Sequence, residues 1–449
     1  MTERTRTLER IEAGRKIAHS GHIPSVRERR KMLRRMLVLL VSHREAAYDV
    51  LEGDLGRSRQ GAIISEILPL IKTIKYLIRR LNSLCAPRRR GIPWINYPGK
   101  TYDIPEPYGT VLIAGSWNYP LLQALEAAAG AYASGNRVVV KLPAKAPKSA
   151  QFIRWIIEET FVGDEVVAVD KEMTLAELLD MEFDYVFSVC DRDKAGFIRK
   201  KTAPLVTECG FITGGRSVAV VDEKAVVKTA ARRIAEGKFF NAGQSRIAPD
   251  LVLVHDHAHE SFKQSIDAVC RKKFGSDVFE NPETGKIIDQ ESYERLSRLA
   301  SHGRLIYGGE KLPEELKISP TVIDMLDEND PLLTEMISGP LLPVGTFSSE
   351  EDLICKLLKL NRIPAVYYFG KSRNIKRRLL KEIRSDALVI NDAAMQFFNR
   401  RLPGKDVFFQ FVRIKSVMVR PARPDLPWRS LPLGRVMNWI LESLVKWSI

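Results

Sequence analysis

The sequence predicts an α/β protein with more than one folding unit, and three observations carry this. Val111 to Ala114 is a short apolar run, Leu121 to Ser134 is Ala-rich and helical, and Val138-Val139-Val140-Lys141 follows Gly135-Asn136 as a second apolar run. That is a strand–helix–strand unit. Helical and strand patterns alternate again through residues 151–190. The chain has 449 residues and 45% hydrophobic content, enough for two or three domains with an ordinary soluble core.

In chain order, residues 1–85 read as helices. Ser25 caps a segment with Arg27, Arg29, Arg30, Lys31, Arg34 and Arg35 outside and Met32, Leu33, Met36, Leu39 and Leu40 inside. Its basic face either contacts phosphates or is a solvated helix face, and the second is the commoner case. Asp54 to Ser58 is a turn. A second helix spans Ala62 to Leu84, with Ile64, Ile67, Leu68, Ile71, Ile74 and Ile78 at helical spacing, and Pro69 predicts a kink. Pro87 to Gly91 breaks the helix. Residues 92–107 alternate and hold Pro93, Pro98, Pro105 and Pro107, which suits edge strands or an extended arm.

Further on, Asp191 and Asp193 open a helix after the strand Phe183 to Phe187, and an Asp is a good cap there. His255, His257 and His259 recur at a spacing of two, which on a strand puts three imidazoles on one face. No metal site is expected of them. Residues 261–275 are helical and basic. Val407 to Val417 reads as a late strand. In the tail, Val436, Met437, Trp439, Ile440, Leu441, Leu444, Val445 and Trp447 crowd one side against Arg435, Glu442 and Lys446. This segment is too short and charged to span a membrane. It can lie in an interface or dock on its own core or a partner subunit.

The net charge is +15 and the pI near 9.5. That is compatible with nucleic acid, an anionic membrane surface or acidic partners, and also with plain solubilising charge. Cys85, Cys190, Cys209, Cys270 and Cys355 are scattered, without a CxxC pair, which fits a reducing compartment. The N-terminus has no apolar core of a secretory signal, and no run of about 18 apolar residues occurs. The expected location is cytoplasmic, with peripheral membrane contact as a second possibility.

Phe239-Phe240-Asn241-Ala242-Gly243-Gln244-Ser245-Arg246-Ile247-Ala248-Pro249-Asp250 resembles the nucleophile segment of class 3 aldehyde dehydrogenases. Gly243, Gln244, Ala248, Pro249 and Asp250 match, and Arg246 stands where that family has its cysteine. Ser116-Trp117-Asn118-Tyr119-Pro120 and Gly135-Asn136 through Lys141 are similar to two further family segments. The resemblance covers about residues 8 to 420. It implies an aldehyde dehydrogenase fold: a Rossmann-type cofactor domain (1–85 and 108–211), a second α/β domain (212–400) and a β oligomerisation arm (86–107 and 401–422). An amphipathic tail (423–449) follows.

The resemblance also implies roles. Asn118 is at the oxyanion position, and Trp117 and Lys141 are at cofactor positions, Lys141 toward the adenosine ribose. The general-base position falls on Ile212, or on Glu208 if the register shifts. Cys209 beside Glu208 reads as a structural thiol. Met336, in Asp330 to Val344, replaces an acid that holds the nicotinamide ribose. The family's phosphate turn is Val189 to Gly196 here, with Cys190 for the first glycine. Leu142-Pro143-Ala144-Lys145 lacks a ribose carboxylate, and a Gly-rich loop after Asn399 to Pro403 is mostly missing. The family cofactor is NAD or NADP. Expected partners are a second copy or an active relative, with an anionic membrane surface also possible. The first reading is therefore a family protein without aldehyde oxidation, acting by binding or assembly. The alternatives are a dehydrogenase working through an unorthodox site such as Glu208 or Cys209, and a basic scaffold for membrane or nucleic acid.

Overall fold

The computed structural model describes residues 2–92, 96–325, 330–360, 362–394, 403–423 and 434–447. The chain opens with helices α1 (Glu3–His19), α2 (Val26–Ser42), α3 (Arg44–Leu55) and α4 (Arg59–Ala62), a π-helical turn (Ile63–Ile67) and α5 (Leu68–Cys85). Ser25 and Glu28 form a full capping box on α2. Arg29, expected outside, is buried because its guanidinium donates to the Ala133 carbonyl. The single kinked helix expected from Ala62 to Leu84 is two helices joined by the π turn. Pro69 cannot donate to Ser65, and Leu68 bonds back to Ile63 instead. The buried stripe is then Ile67, Leu70, Ile74, Leu77 and Leu81, while Ile64 and Leu68 face outward.

Strands β1 (Arg88–Arg90), β2 (Lys100–Pro107) and β3 (Thr110–Ala114) follow, then α6 (Pro120–Ser134), β4 (Arg137–Lys141), α7 (Pro147–Thr160) and β5 (Val166–Val169). Next come α8 (Leu175–Leu179), β6 (Tyr185–Cys190), α9 (Arg192–Thr202) and β7 (Glu208–Thr213). Strands β5-β4-β3-β6-β7 form a parallel five-stranded sheet. β7 runs to Thr213, past the expected domain boundary at 211. α6 is buried along almost its whole length. Its alanines let the sheet, α5 and α7 close on it without large side chains between them.

The second unit starts with β8 (Ser217–Val221), α10 (Val227–Phe239), β9 (Pro249–His255), α11 (Asp256–Phe274) and α12 (Gln290–Leu299). The histidine spacing does not survive. His255 ends β9 and caps the helix that holds His257 and His259, so the three rings share no strand face. His259 instead hydrogen-bonds Asp324 at 2.9 Å, and no metal-binding cluster occurs among the described residues. Then come β10 (Arg304–Tyr307), the two-stranded hairpin β11 (Lys311–Leu312) and β12 (Lys317–Ile318), β13 (Thr321–Asp324), α13 (Pro331–Thr334) and β14 (Leu341–Phe347). α14 (Glu350–Leu358), β15 (Ile363–Phe369), α15 (Arg373–Glu382) and β16 (Ser385–Ile390) complete the unit. The sheet order is β10-β13-β14-β9-β8-β15-β16, parallel except for β10 at one edge.

α16 (Pro403–Phe409), β17 (Val412–Val419) and α17 (Arg435–Lys446) end the chain. Residues 403–409, expected as arm and the start of a strand, form a helix that packs on α5 and α6. Gly130 makes this possible: a Cβ there would sit 2.2 Å from Val407 Cγ1 and 3.0 Å from the Val407 carbonyl oxygen. The arm sheet is β1-β2-β17, all antiparallel. β2 is its central strand despite Pro105 and Pro107. β1 pairs only with Thr101 to Asp103, so β2 is an edge where the prolines lie. α17 has no buried residue. No helix among the described residues is long and apolar enough to cross a membrane. The expected loop loss at Asn399 to Leu402, Pro93 and the start of the tail lie outside the described residues.

Candidate functional site

Between the two sheets, at the carboxyl ends of β3, β4, β6 and β7, runs a groove of about 570 Å³. A second, more apolar cavity of about 290 Å³ adjoins it. Both are lined by Val189, Ile212 and Arg246. Crevices outside the carboxyl ends of parallel strands are where α/β sheets hold ligands, because helix starts and loops converge there.

Arg246 follows a turn whose Asn241, Ala242 and Gly243 all have positive φ (55°, 50° and 69°). Such residues cost about 1–3 kcal/mol each when not glycine, so something must hold them. Asn241 Nδ2 donates to the Asn118 carbonyl at 3.2 Å, and its Oδ1 accepts from Arg57 Nε at 3.2 Å. Gln244 Nε2 donates to the Lys286 carbonyl at 2.9 Å and its Oε1 accepts from the Ile288 amide at 3.0 Å. Only glycine fits at 243, since a Cβ would lie 2.1 Å from the Gly339 carbonyl oxygen. Beyond the turn, Arg246 Nη1 pairs with Asp386 Oδ2 at 3.1 Å.

Asn118 sits against the same turn. Its Nδ2 reaches the Gln244 carbonyl at 3.3 Å, and its Oδ1 accepts from Ser116 at 2.9 Å and Gln123 at 3.2 Å. Behind both lies Arg57, with 2% of its side chain exposed. It donates to Asn241, to Ser65, to Glu66 and, at 2.7 Å, to the Asn118 carbonyl, and it stacks over Tyr119 at 4.9 Å. Glu66 in turn accepts from the Leu122 amide in the first turn of α6 at 2.9 Å. Burial pushes the Glu66 carboxyl up despite Arg57 and these donors. Sequence reasoning had matched Arg57 only as a turn residue and missed Glu66. The signal was the single acid in a helical stretch whose other charges, Lys72, Lys75, Arg79 and Arg80, are all basic.

Ile212 stands at the end of β7 and lines both cavities. Glu208 is four residues earlier, roughly 13 Å away along an extended strand. It is exposed and pairs with Arg413 at 3.4 Å, so it does not reach the groove. Cys209 is turned to Thr202 Oγ1 at 3.3 Å, with the Thr207 carbonyl at 3.6 Å. The thiol that does line the groove is Cys190, whose pKa burial raises above its ordinary value.

The groove's far end carries Trp117, Lys141 and Lys145. Lys141 Nζ bonds the Asp170 carbonyl, and burial lowers its pKa. Lys145 pairs with Asp289 across the two units at 2.6 Å. At the near end, Arg295 donates to the carbonyls of Met336 and Ile337, each at 2.8 Å, and Arg216 donates to those of Leu332 and Glu335. These bonds fix the segment so that Met336 lies across the groove on Gly214, where a Cβ would meet its Cε at 3.3 Å.

The acids lining the groove are Asp191, which caps α9 through the Lys194 amide at 2.7 Å, and Asp250, buried against Lys238 at 2.9 Å. Among the described residues, the groove lining thus supplies the cations Lys141, Lys145, Lys194 and Arg295, and both of its carboxylates are already engaged.

Residues 7–400 match the model of the aldehyde dehydrogenase family. The chain is 28% identical over 411 residues to the 4,4'-diaponeurosporen-aldehyde dehydrogenase of Staphylococcus aureus, covering 88% of this chain and 90% of that one. It is 27% identical over 436 residues to aldehyde dehydrogenase family 3 member H1 of Arabidopsis thaliana, covering 93% and 90%. The solved substrate-bound state of Staphylococcus aureus AldH superposes with a TM-score of 0.92 at 26% identity, over 99% and 100% of the two chains.

Proposed function

Because this chain belongs to the aldehyde dehydrogenase family, we propose that it keeps the fold and the apolar ligand cavity but does not oxidise aldehydes through a cysteine. The observation that carries this reading is Arg246. Its guanidinium stands at the junction of groove and cavity, where the resemblance puts the nucleophile. The family reaction needs a thiolate to attack the carbonyl and a base to activate water. A guanidinium stays protonated and does neither, and Ile212 at the base position cannot take a proton.

The protein acts instead by binding or assembly. Leu122, Phe187, Val189, Ile212 and Phe411 wall the cavity, which suits an extended apolar compound. The S. aureus relative, named for 4,4'-diaponeurosporen-aldehyde, suggests the carbonyl class. Self-association or pairing with an active relative would use the arm, whose outer strand exposes Ile414, Met418 and Val419. NAD or NADP would be held chiefly at the Lys141 end. A lost ribose carboxylate is worth about 1.5–3 kcal/mol. Glu208 and Cys209 line neither cavity, which counts against these two residues as an unorthodox site.

The test is calorimetry with NAD and NADP, alongside a spectrophotometric assay over short and long aldehydes. Weak or absent nucleotide binding and no reduced nicotinamide are expected. Reduced nicotinamide formed by the wild-type protein with any aldehyde would overturn the reading, and its persistence in the Arg246→Ala variant would point to another nucleophile.

A further inference from the structure

The net charge is not spread evenly over the molecule. Residues 26–42 and 68–90 carry thirteen Lys and Arg against one acid, Glu28, which is +12 of the chain's net +15. These residues are α2, α5 and β1. The two helices form one outer layer, since both pack on α6 and on each other. Arg29 Nη1 lies 3.6 Å from Cys85 Sγ, and Arg30 reaches the Ile78 carbonyl at 3.1 Å and Asn82 Oδ1 at 2.9 Å. The start of α2 is thus tied to the end of α5.

On α2 the outward stripe is Arg27, Lys31, Arg34, Arg35 and then Val38 and Val41. On α5 it is Leu68, Lys72, Lys75, Arg79 and Arg80, continuing back to Ile64. Among the described residues, the ion pairs touching this face are Arg35 with Glu159 at 3.9 Å and Arg90 with Asp103 at 3.2 Å. Val38 is 62% and Leu68 42% exposed, so aliphatic side chains stand among the cations.

From this we infer that the α2–α5 face docks on an anionic phospholipid bilayer. Cations attract the headgroups within a Debye length, and the exposed Val38, Val41, Ile64 and Leu68 enter the headgroup boundary. The mixture decides between partners. A single-stranded nucleic acid is gripped by cations together with exposed aromatic rings that stack on bases. The outward stripes of α2 and α5 carry aliphatic residues and no aromatic one. The inference does not depend on whether the chain turns over aldehydes.

The experiment is flotation of the full-length protein with phosphatidylcholine vesicles, with and without phosphatidylglycerol, over increasing sodium chloride. Binding is expected only with the anionic lipid and should fade with salt. A variant with Lys31→Glu, Arg34→Glu, Lys75→Glu and Arg79→Glu should lose at least about a hundredfold in partition, since each cation near an anionic surface is worth about fivefold. These side chains are exposed, and a melting temperature within about 2 °C of wild type would confirm that the fold is kept. If that variant misfolds, Lys75→Gln with Arg79→Gln supplies the same test at smaller amplitude. Trp439→Glu in α17 should leave binding nearly unchanged. Equal binding to neutral vesicles, wild-type partition by the charge variants, or loss caused by Trp439→Glu alone would each overturn the inference. So would salt-sensitive binding to RNA without binding to anionic vesicles.

Discussion

Arg246 Nη1 and Asp386 Oδ2 lie 3.1 Å apart, joining the turn that leads out of α10 to the first residues of β16. Both side chains are partly exposed, at 30% and 50%. Such a pair contributes little to stability, about 0–1 kcal/mol. Arg246→Cys should therefore unfold at nearly the wild-type urea midpoint. It should also gain no aldehyde oxidation, because Ile212 still cannot activate water. A single substitution that restored turnover would mean the base lies elsewhere.

Arg57 and Glu66 are buried together beneath the site. Removing one partner leaves an uncompensated charge, at a cost of about 3–5 kcal/mol. Arg57→Met should lower the urea midpoint accordingly. Because Arg57 also holds Asn241 and the Asn118 carbonyl, any ligand affinity of the groove should fall with it. The double variant Arg57→Met with Glu66→Gln should recover part of the stability, which a double-mutant cycle would read.

Lys238 and Asp250 form a second buried pair, 2.9 Å apart. Burial outweighs Asp250 and holds the Lys238 pKa below its ordinary value. Lys238→Ala should cost about 3–5 kcal/mol, while Lys238→Met with Asp250→Leu should cost less than the singles combined. Additive costs in the cycle would show that the two side chains do not interact.

Asp289 caps α12 and pairs with Lys145 across the groove mouth. Burial raises its carboxyl, but the bonds from Lys145 and Ser292 outweigh this and hold it below the ordinary carboxylate value. With the folded value depressed, its stabilisation is present above the unfolded pKa and is lost as pH falls through the folded one. Asp289→Asn keeps the cap and should therefore cost only the screened charge contribution, about 0–1 kcal/mol, at neutral pH and nothing measurable in strong acid. A constant difference across that range in urea melts would contradict the linkage.

Cys190 tests the remaining thiol of the groove. With its pKa raised by burial, it is a thiol at neutral pH. Iodoacetamide should label exposed Cys355 before Cys190, and Cys190 labelling should accelerate only in base beyond the ordinary thiol range. Rapid labelling of Cys190 at pH 7 by mass spectrometry would reveal a thiolate and reopen a cysteine-based mechanism.

Much of the fold was legible in the chain because local signals agreed. Val111 to Ala114, the Ala-rich helix and Val138 to Lys141 fix a strand, a helix and a strand by apolar runs and by Gly135. The capping box at Ser25 and the cap at Asp191 are read from residues three apart. The absence of a nucleophilic cysteine from the Gly243 to Asp250 segment is also a property of sequence alone.

Other features depended on contacts between residues far apart. Arg29 turns inward because the Ala133 carbonyl is there to receive it, which no helical period reveals. Residues 403–409 coil into a helix because Gly130 leaves room on α6, and the prolines of β2 are tolerated because β1 stops short. Glu208 and Ile212 are both near the base position by counting. Only the direction of β7 places Ile212 at the groove and Glu208 at the far end with Arg413. In the same way, composition supplied a net charge of +15, and only the packing of α2 beside α5 gathered the outward cations Arg27, Lys31, Arg34, Arg35, Lys72, Lys75, Arg79 and Arg80 onto one surface. Local sequence determines which elements form. The pairing of distant side chains, set by burial and charge, determines which of them meet.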